Sequence, residues 1–113
     1  MLNKILTLFF ILTVPTSALA GPAWQNHTYV KGVQALHNGG IILYLPPGSD
    51  TACLEGGKLF YVIPGQNGVT AEGVKNILTV ALVAHSTGKQ VSVYYDNADP
   101  HCYVKQLYVS SDI

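Results

Sequence analysis

The segment AEGVKNILTVALVAHSTGKQVSVYYD, residues 71–96, carries the clearest secondary-structure signals of the chain. Its first half repeats at the spacing of one helix face, through Val74, Ile77, Leu78, Ala81, Leu82 and His85. Thr70 is a suitable N-cap, and Gly88 is suited to end a helix in the left-handed conformation. Beyond Gly88, apolar and polar residues alternate as in a strand. The segment therefore predicts a helix over residues 70–87 and a strand over residues 89–96.

Further strands are predicted on both sides of this helix. They are expected at residues 27–37, 41–45, 58–63 and 102–110. Asn38-Gly39-Gly40 is a tight-turn signal, which makes the first two strands a hairpin. Residues 21–26 are interpreted as a short lead-in, and Glu55-Gly56-Gly57 as a bend.

The predicted order is therefore β-β-β-α-β-β. A five-stranded barrel of the OB type has one helix between its third and fourth strands, where the helix covers one end of the barrel. The fold class is predicted to be mainly β with one helix, as an OB-fold-like five-stranded barrel. An open α+β sheet with the helix packed on one face is the alternative.

The N-terminal sequence MLNKILTLFFILTVPTSALA has the pattern of an export signal. A basic residue, Lys4, precedes an apolar run, and Ala18-Leu19-Ala20 fits a cleavage site of the A-x-A type. The apolar run is shorter than the roughly 20 residues that span a bilayer. We expect a signal peptide over residues 1–20 and a single secreted or periplasmic domain over residues 21–113, without a membrane span after cleavage. A retained N-terminal anchor is the alternative.

The chain has two cysteines, Cys53 and Cys102. In an oxidising compartment, an even count of two predicts one disulfide bond. A metal site would need more ligands, and a redox pair favours the spacing C-x-x-C.

Composition and motifs argue against several classes of function. The six basic residues are scattered lysines with no arginine, whereas a nucleic-acid binder needs cations gathered on one face. The sequence contains no G-x-S-x-G elbow, no H-E-x-x-H and no glycine-rich phosphate loop. The segment from Asp96 to His101 is interpreted as an Asx-rich turn rather than a metal loop. We therefore expect no enzyme activity, catalytic residue, metal site, cofactor or nucleic-acid partner.

Three short motifs resemble the B subunits of subtilase cytotoxin and typhoid toxin, which are relatives of the pertussis-type binding subunits. They are the run from Ser86 to Asp96 after the helix, Cys53-Leu54-Glu55-Gly56, and Lys31-Gly32-Val33 with His37 and Gly39. The resemblance implies an OB fold, a pentameric ring, a toxin A-type partner subunit and binding of sialylated glycans. The sugar site of that family uses a serine just before the Gly-Val of the first strand. Lys31 occupies that position here, and a lysine can meet a carboxylate as a point charge.

Together these observations predict a bacterial, non-catalytic binding module that binds a glycan or protein partner as a homo-oligomer. Seven tyrosines fit this function, because tyrosine suits sugar and protein contacts. The predicted ligand surface surrounds the first strand, through Trp24, Tyr29, Lys31 and Gln34. Strands 89–96 and 102–110 are the expected edges for contacts between subunits. A small structural or accessory envelope protein that shares only the scaffold is the alternative.

Overall fold

The strands of the protein form two antiparallel sheets of three strands each. The computed structural model describes residues 20–110, so the predicted signal peptide lies outside the described residues except for Ala20. The first sheet has the order β1-β5-β6, and the second has the order β2-β3-β4. The elements are β1 (Pro22–Thr28), β2 (Gly32–Ala35), β3 (Ile41–Tyr44), α1 (Leu54–Gly57), β4 (Leu59–Val62), α2 (Ala71–Thr87), β5 (Val91–Asp96) and β6 (Tyr103–Val109). The predicted mainly β class is confirmed.

The first predicted strand, residues 27–37, is two strands that belong to different sheets. His27 has a left-handed φ of 54°, and the register of β1 against β5 shifts between Gln25 and Thr28. The chain therefore leaves the first sheet after Thr28 and joins the second sheet at Gly32. The expected lead-in at 21–26 is also wrong, because most of it pairs with β5 as part of β1. The described residues thus form six strands instead of the expected five.

The helical element α1, which the sequence does not predict as a helix, is a single turn. The residues Glu55 and Gly56 have left-handed φ values of 55° and 73°, so the backbone reverses within the turn. Gly57 has a φ of 86°, and a Cβ at this position would lie 2.6 Å from the carbonyl oxygen of Asp50. Only glycine fits such a close approach of two backbones. The predicted bend is therefore present, although it adds a second helical element to the expected single helix.

One apolar core lies between the two sheets and α2. The alternation within each strand turns every second side chain inward, which builds the core from both sheets. Phe60 packs edge-on against Tyr95 with ring centroids 4.9 Å apart. The fully buried residues that share this core include Leu43, Leu45, Phe60, Val62, Val91, Val93, Ala81, Cys102 and Val104.

The helix α2 begins and ends as its sequence predicts. The hydroxyl of Thr70 accepts a hydrogen bond from the Gly73 N–H at 3.0 Å, and Gly88 ends the helix with a φ of 70°. The buried face is narrower than predicted, because it consists of Val74, Ile77, Ala81 and Ala84. Leu82 is 49% exposed, which corrects its placement in the core, and Leu78 is only half-buried. Ala81 and Ala84 are the fully buried members of this face.

The two faces of α2 lead to a mutational test. Ile77→Ala should lower the free energy of unfolding by about 2–4 kcal/mol, because it opens a cavity in the core. Leu82→Ala is the matched control and should change it by less than about 0.5 kcal/mol. Denaturant unfolding of both variants measures the difference, and equal losses would contradict the assigned face.

The predicted disulfide between Cys53 and Cys102 is confirmed. Both residues are buried, and their Cα atoms lie 5.6 Å apart. Cys102 has a left-handed φ of 47°, which is strained for a residue with a side chain. The bridge spans a sequence separation of 49, so it restricts the unfolded chain by about 4 kcal/mol in the loop-entropy model.

Removing the bridge should therefore destabilise the protein. Cys102→Ser should lower the free energy of unfolding by about 2–5 kcal/mol. Wild-type protein treated with a reductant should approach the stability of this variant, which separates the loss of the bond from the effect of the serine. A thermal midpoint that ignores both changes would refute the structural role.

A partly buried hydrogen-bond network holds the loop before Cys53 against the first sheet. The carboxylate of Asp50 accepts hydrogen bonds from the Tyr95 hydroxyl at 2.6 Å and from the Asn97 side chain at 3.0 Å. Asn97 in turn accepts from the N–H of Gly21 at 2.8 Å. Burial alone would raise the pKa of Asp50, but the hydrogen bonds from Tyr95, Asn97 and the Ala52 N–H outweigh it and hold the pKa below its ordinary value. Burial and the bond to Asp50 raise the pKa of Tyr95, so its hydroxyl remains a donor.

The lowered pKa of Asp50 predicts a loss of stability in acid. Its contribution is complete above the ordinary pKa of 3.8 and is lost as the pH falls through the lower folded-state value. Asp50→Asn should lower the free energy of unfolding at neutral pH by about 1–3 kcal/mol. The variant should also lose less stability than the wild type between neutral pH and acid. Parallel acid-dependence curves for the two proteins would contradict this account.

Candidate binding groove

A groove of about 680 Å³ runs between α2 and the sheet of β1, β5 and β6. One wall consists of α2 and the loop before it, through Val69, Ile77 and Val80. Trp24 of β1 and Tyr108 of β6 form the other wall, and residues 105–107 of β6 lie between the two walls. We call this feature the β6 groove.

The aromatic wall of the β6 groove is built by strand pairing. Trp24 lies opposite Tyr94 in the register of β1 and β5, and their ring centroids are 4.8 Å apart. Tyr108 meets Trp24 edge-on at 6.0 Å. Trp24 and Tyr108 are nevertheless 46% and 52% exposed. Large aromatic side chains exposed beside an apolar groove are typical of an interaction surface.

The strand β6 presents an open edge to this groove. It is the last strand of its sheet, and β4 lies beside it only near its start, where the Tyr61 N–H donates to the His101 carbonyl at 3.1 Å. The backbone N–H of Ser110 donates a hydrogen bond to the carbonyl oxygen of Gln90 at 2.7 Å. In an antiparallel pair, successive residues point their backbone groups alternately toward and away from the partner strand, so this bond fixes the direction for the rest of β6. By that alternation the backbone groups of Leu107 and Val109 point away from β5. Within residues 20–110, they have no hydrogen-bond partner on that side.

The predicted edge at residues 89–96 is wrong. These residues form β5, which pairs with β1 on one side and with β6 on the other. Its backbone groups are therefore used within the sheet. The predicted strand at residues 102–110 contains β6, which is an edge strand.

The four residues predicted to bind a ligand lie at three places on the surface. Trp24 belongs to the β6 groove. Tyr29 and Lys31 lie together, with the Lys31 ammonium 5.8 Å from the centre of the Tyr29 ring. Gln34 lies on β2, where its side chain accepts a hydrogen bond from the Tyr44 hydroxyl. The structure thus brings Tyr29 and Lys31 together and leaves Trp24 and Gln34 elsewhere, while ligand binding by any of the four stays a prediction.

Tyr29 and Lys31 line a basic depression of about 270 Å³ at the end of α2. Its other lining residues include Lys89 and His85. The Val30 carbonyl can only accept a hydrogen bond, so His85 donates to it through Nδ1 at 2.9 Å. This bond attaches the helix to the segment between β1 and β2.

Sequence reasoning missed Tyr108 and Val80 as parts of a common surface. The sequence contains part of the information that indicates this surface, since tyrosine is abundant and the apolar residues of α2 extend beyond one stripe. However, Trp24, Val80 and Tyr108 are far apart in the chain, and only the pairing of β1 with β5 and β6 brings them together.

The lining of the β6 groove favours binding of an uncharged or apolar surface. Lys105 is the single charged side chain among its lining residues. Within the described part of the chain, no group of three or more His, Cys, Asp and Glu side chains is placed to hold a metal ion. No helix between residues 20 and 110 is long and apolar enough to cross a membrane.

Comparisons of the chain with protein-family models, with characterised proteins and with solved structures gave no match. A function for the protein must therefore be inferred from its own geometry.

Proposed function

We propose that the protein is a secreted or periplasmic, non-catalytic binding module that resembles toxin B subunits, forms a homo-oligomer and binds a glycan or protein partner. The observation that carries this proposal is the β6 groove, where an unpaired strand edge lies between two apolar walls. A disulfide in a chain with an export-like N-terminal sequence supports the location outside the cytoplasm.

The β6 groove has the features that accept an added strand. Added strands bind an exposed edge through main-chain hydrogen bonds, and pockets beside the edge receive alternate side chains. Here Leu107 supplies backbone groups within the groove and Val109 continues the same strand edge, while Trp24 and Val80 lie on the two walls. Natural proteins usually protect an exposed edge with charge, proline or a covering element. Lys105 is the only charge at this one, so an occupant would complete the surface.

A second copy of the chain is the occupant that these features favour. β1 is the other edge of the same sheet and has seven residues, as β6 does. Contact between two different edges repeats from copy to copy and closes into a ring when the rotation permits. After the expected cleavage, which removes Lys4, the chain has five basic and six acidic residues, so copies repel one another only weakly through net charge.

The finer fold proposed here is an OB-type barrel with a divided first strand. In this description β1 and β2 together are the first strand, β3 and β4 are the second and third, and β5 and β6 follow α2. The position of β4 beside the start of β6 supports this arrangement, because it connects the edges of the two sheets.

The basic depression supports an acidic glycan as a ligand. Lys31 stands where the resemblance places a serine of the sugar site, and Lys89 adds a second cation to the same depression. A toxin A-type subunit is the protein partner that the resemblance implies. A monomer that binds neither glycan nor protein would favour the accessory envelope protein instead.

The assembly can be tested with the single tryptophan of the chain. Trp24 is half-exposed in the described chain, so burial by a second copy should shift its emission to shorter wavelength as the concentration rises. Light scattering should give a mass several times that of the chain. Tyr108→Asp should reduce the mass to that of a monomer, because it places a charge inside the interface.

Tyr29→Asp is the matched control for this experiment. It adds the same charge at another exposed tyrosine, which lies outside the β6 groove, and should leave the mass unchanged. A monomeric wild type, or equal dissociation of both variants, would reject assembly through the β6 groove.

A further inference from the structure

A third surface feature, a depression with two carboxylates in its lining, lies at the loop between β5 and β6. It has a volume of about 280 Å³ and shares no lining residue with the β6 groove or the basic depression. We call it the loop pocket and define it by its lining residues Gln66, Asn67, Asp96, Ala98, Asp99 and Tyr103.

Three polar side chains of the loop pocket, those of Asp96, Asp99 and Asn67, are each held in place through one atom. Oδ1 of Asp96 accepts a hydrogen bond from the Ala98 N–H at 2.8 Å. Oδ1 of Asp99 accepts from the backbone N–H and the ring Nδ1 of His101, at 2.9 and 2.7 Å. Asn67 donates its side-chain N–H to the Tyr103 carbonyl at 3.0 Å. The second oxygen of each carboxylate and the side-chain oxygen of Asn67 form no hydrogen bond within residues 20–110.

An aromatic group completes the loop pocket. The Tyr103 ring stacks on His101 with centroids 5.5 Å apart and planes inclined by 14°, and His101 meets Tyr61 edge-on at 4.9 Å. Burial and the nearby Asp99 raise the pKa of the Tyr103 hydroxyl, which keeps it protonated as a donor. Two hydrogen bonds from His101, first that of its backbone N–H and then that of its ring, lower the pKa of Asp99. This carboxylate therefore stays ionised and acts as an acceptor.

We propose that the loop pocket binds a neutral saccharide. The hydroxyl groups of a sugar donate to carboxylate and amide oxygens and accept from a tyrosine hydroxyl, and its C–H faces pack on an aromatic ring. The volume lies just below the range of roughly 300–1,000 Å³ that suits drug-sized ligands, which fits one sugar ring. Asp96 and Asp99 are not opposed by any lysine in the lining, so the pocket disfavours acidic sugars.

This inference rests on the glycan-binding form of the proposed function, but it names a different surface and a neutral ligand instead of an acidic one. The basic depression carries Lys31 and Lys89 and suits an anion, whereas the loop pocket carries two carboxylates. It is also independent of assembly through the β6 groove, because the two features have no lining residue in common.

The test is a titration of isotope-labelled protein, followed by amide chemical shifts. The probes are the methyl glycosides of glucose, galactose and mannose and, for comparison, the methyl glycoside of N-acetylneuraminic acid. At least one neutral glycoside should shift the amides of Asn67, Ala98 and Tyr103. The acidic glycoside should leave these amides unchanged, and calcium chloride alone should not reproduce the shifts.

Two conservative variants test the assigned contacts. Asp96→Asn keeps the oxygen that accepts from Ala98, and Tyr103→Phe keeps the ring on His101. Each should weaken binding of the neutral glycoside by about tenfold, since each removes one polar contact. Glu72→Gln is the control, because it removes a carboxylate in the first turn of α2, away from the loop pocket, and should bind like the wild type.

Several outcomes would overturn the inference. They are the absence of shifts with all three neutral glycosides, stronger shifts with the acidic glycoside, or unchanged affinity in both Asp96→Asn and Tyr103→Phe when their amide spectra show folded protein. Repeating the titration on Tyr108→Asp separates the two proposals. Retained binding there would support the loop pocket even if assembly through the β6 groove fails.

Discussion

The connection between the two sheets at the start of β6 is the constraint on which the β6 groove and the loop pocket depend. The bridge from Cys53 to Cys102 joins the turn before β4 to the residue before β6. Two backbone hydrogen bonds lie beside it, from Leu54 to Pro100 and from Tyr61 to His101, both at 3.1 Å. A covalent bond and two hydrogen bonds thus hold the edges of separate sheets together over a few residues. Residues next to this junction, Asp99 and Tyr103, line the loop pocket, and residues 105–108 of the strand that follows it line the β6 groove.

The position of α2 explains why β6 is covered at one end and open at the other. Ala81 and Ala84 allow the helix to approach the strands closely, and its contacts are with β2, β3 and β6. In the first turns of α2, Val74 and Ile77 are buried in the core, while Gly73 and Asn76 line the β6 groove. A helix that covers the end of two sheets cannot also pair with a strand edge, because its backbone hydrogen bonds are internal. The open edge of β6 is therefore a consequence of using a helix as the cover.

Local signals explain which parts of the structure could be predicted from the sequence. The helix α2 was predictable because Thr70 and Gly88 act within a few residues of its ends. The disulfide was predictable because the chain offers only two cysteines. The division of the first strand was not, since it depends on the left-handed backbone of His27 and on the pairing of β1 with β5. For the same reason the ligand residues predicted around the first strand are distributed over three surfaces, while Tyr108 and Tyr103 were not recognised.

The proposed binding surfaces differ in charge, although the chain has equal numbers of basic and acidic residues. The basic depression gathers Lys31 and Lys89 at the end of α2, while Asp96 and Asp99 lie at the opposite end of β5. The strand β5 connects these two regions. Its inner face is buried, and it pairs with β1 on one side and with β6 on the other. In the two proposals, an acidic ligand and a neutral ligand would bind at opposite ends of β5. Selectivity between the two proposed ligands would then follow from the charge at each end, with lysines at one end and carboxylates at the other.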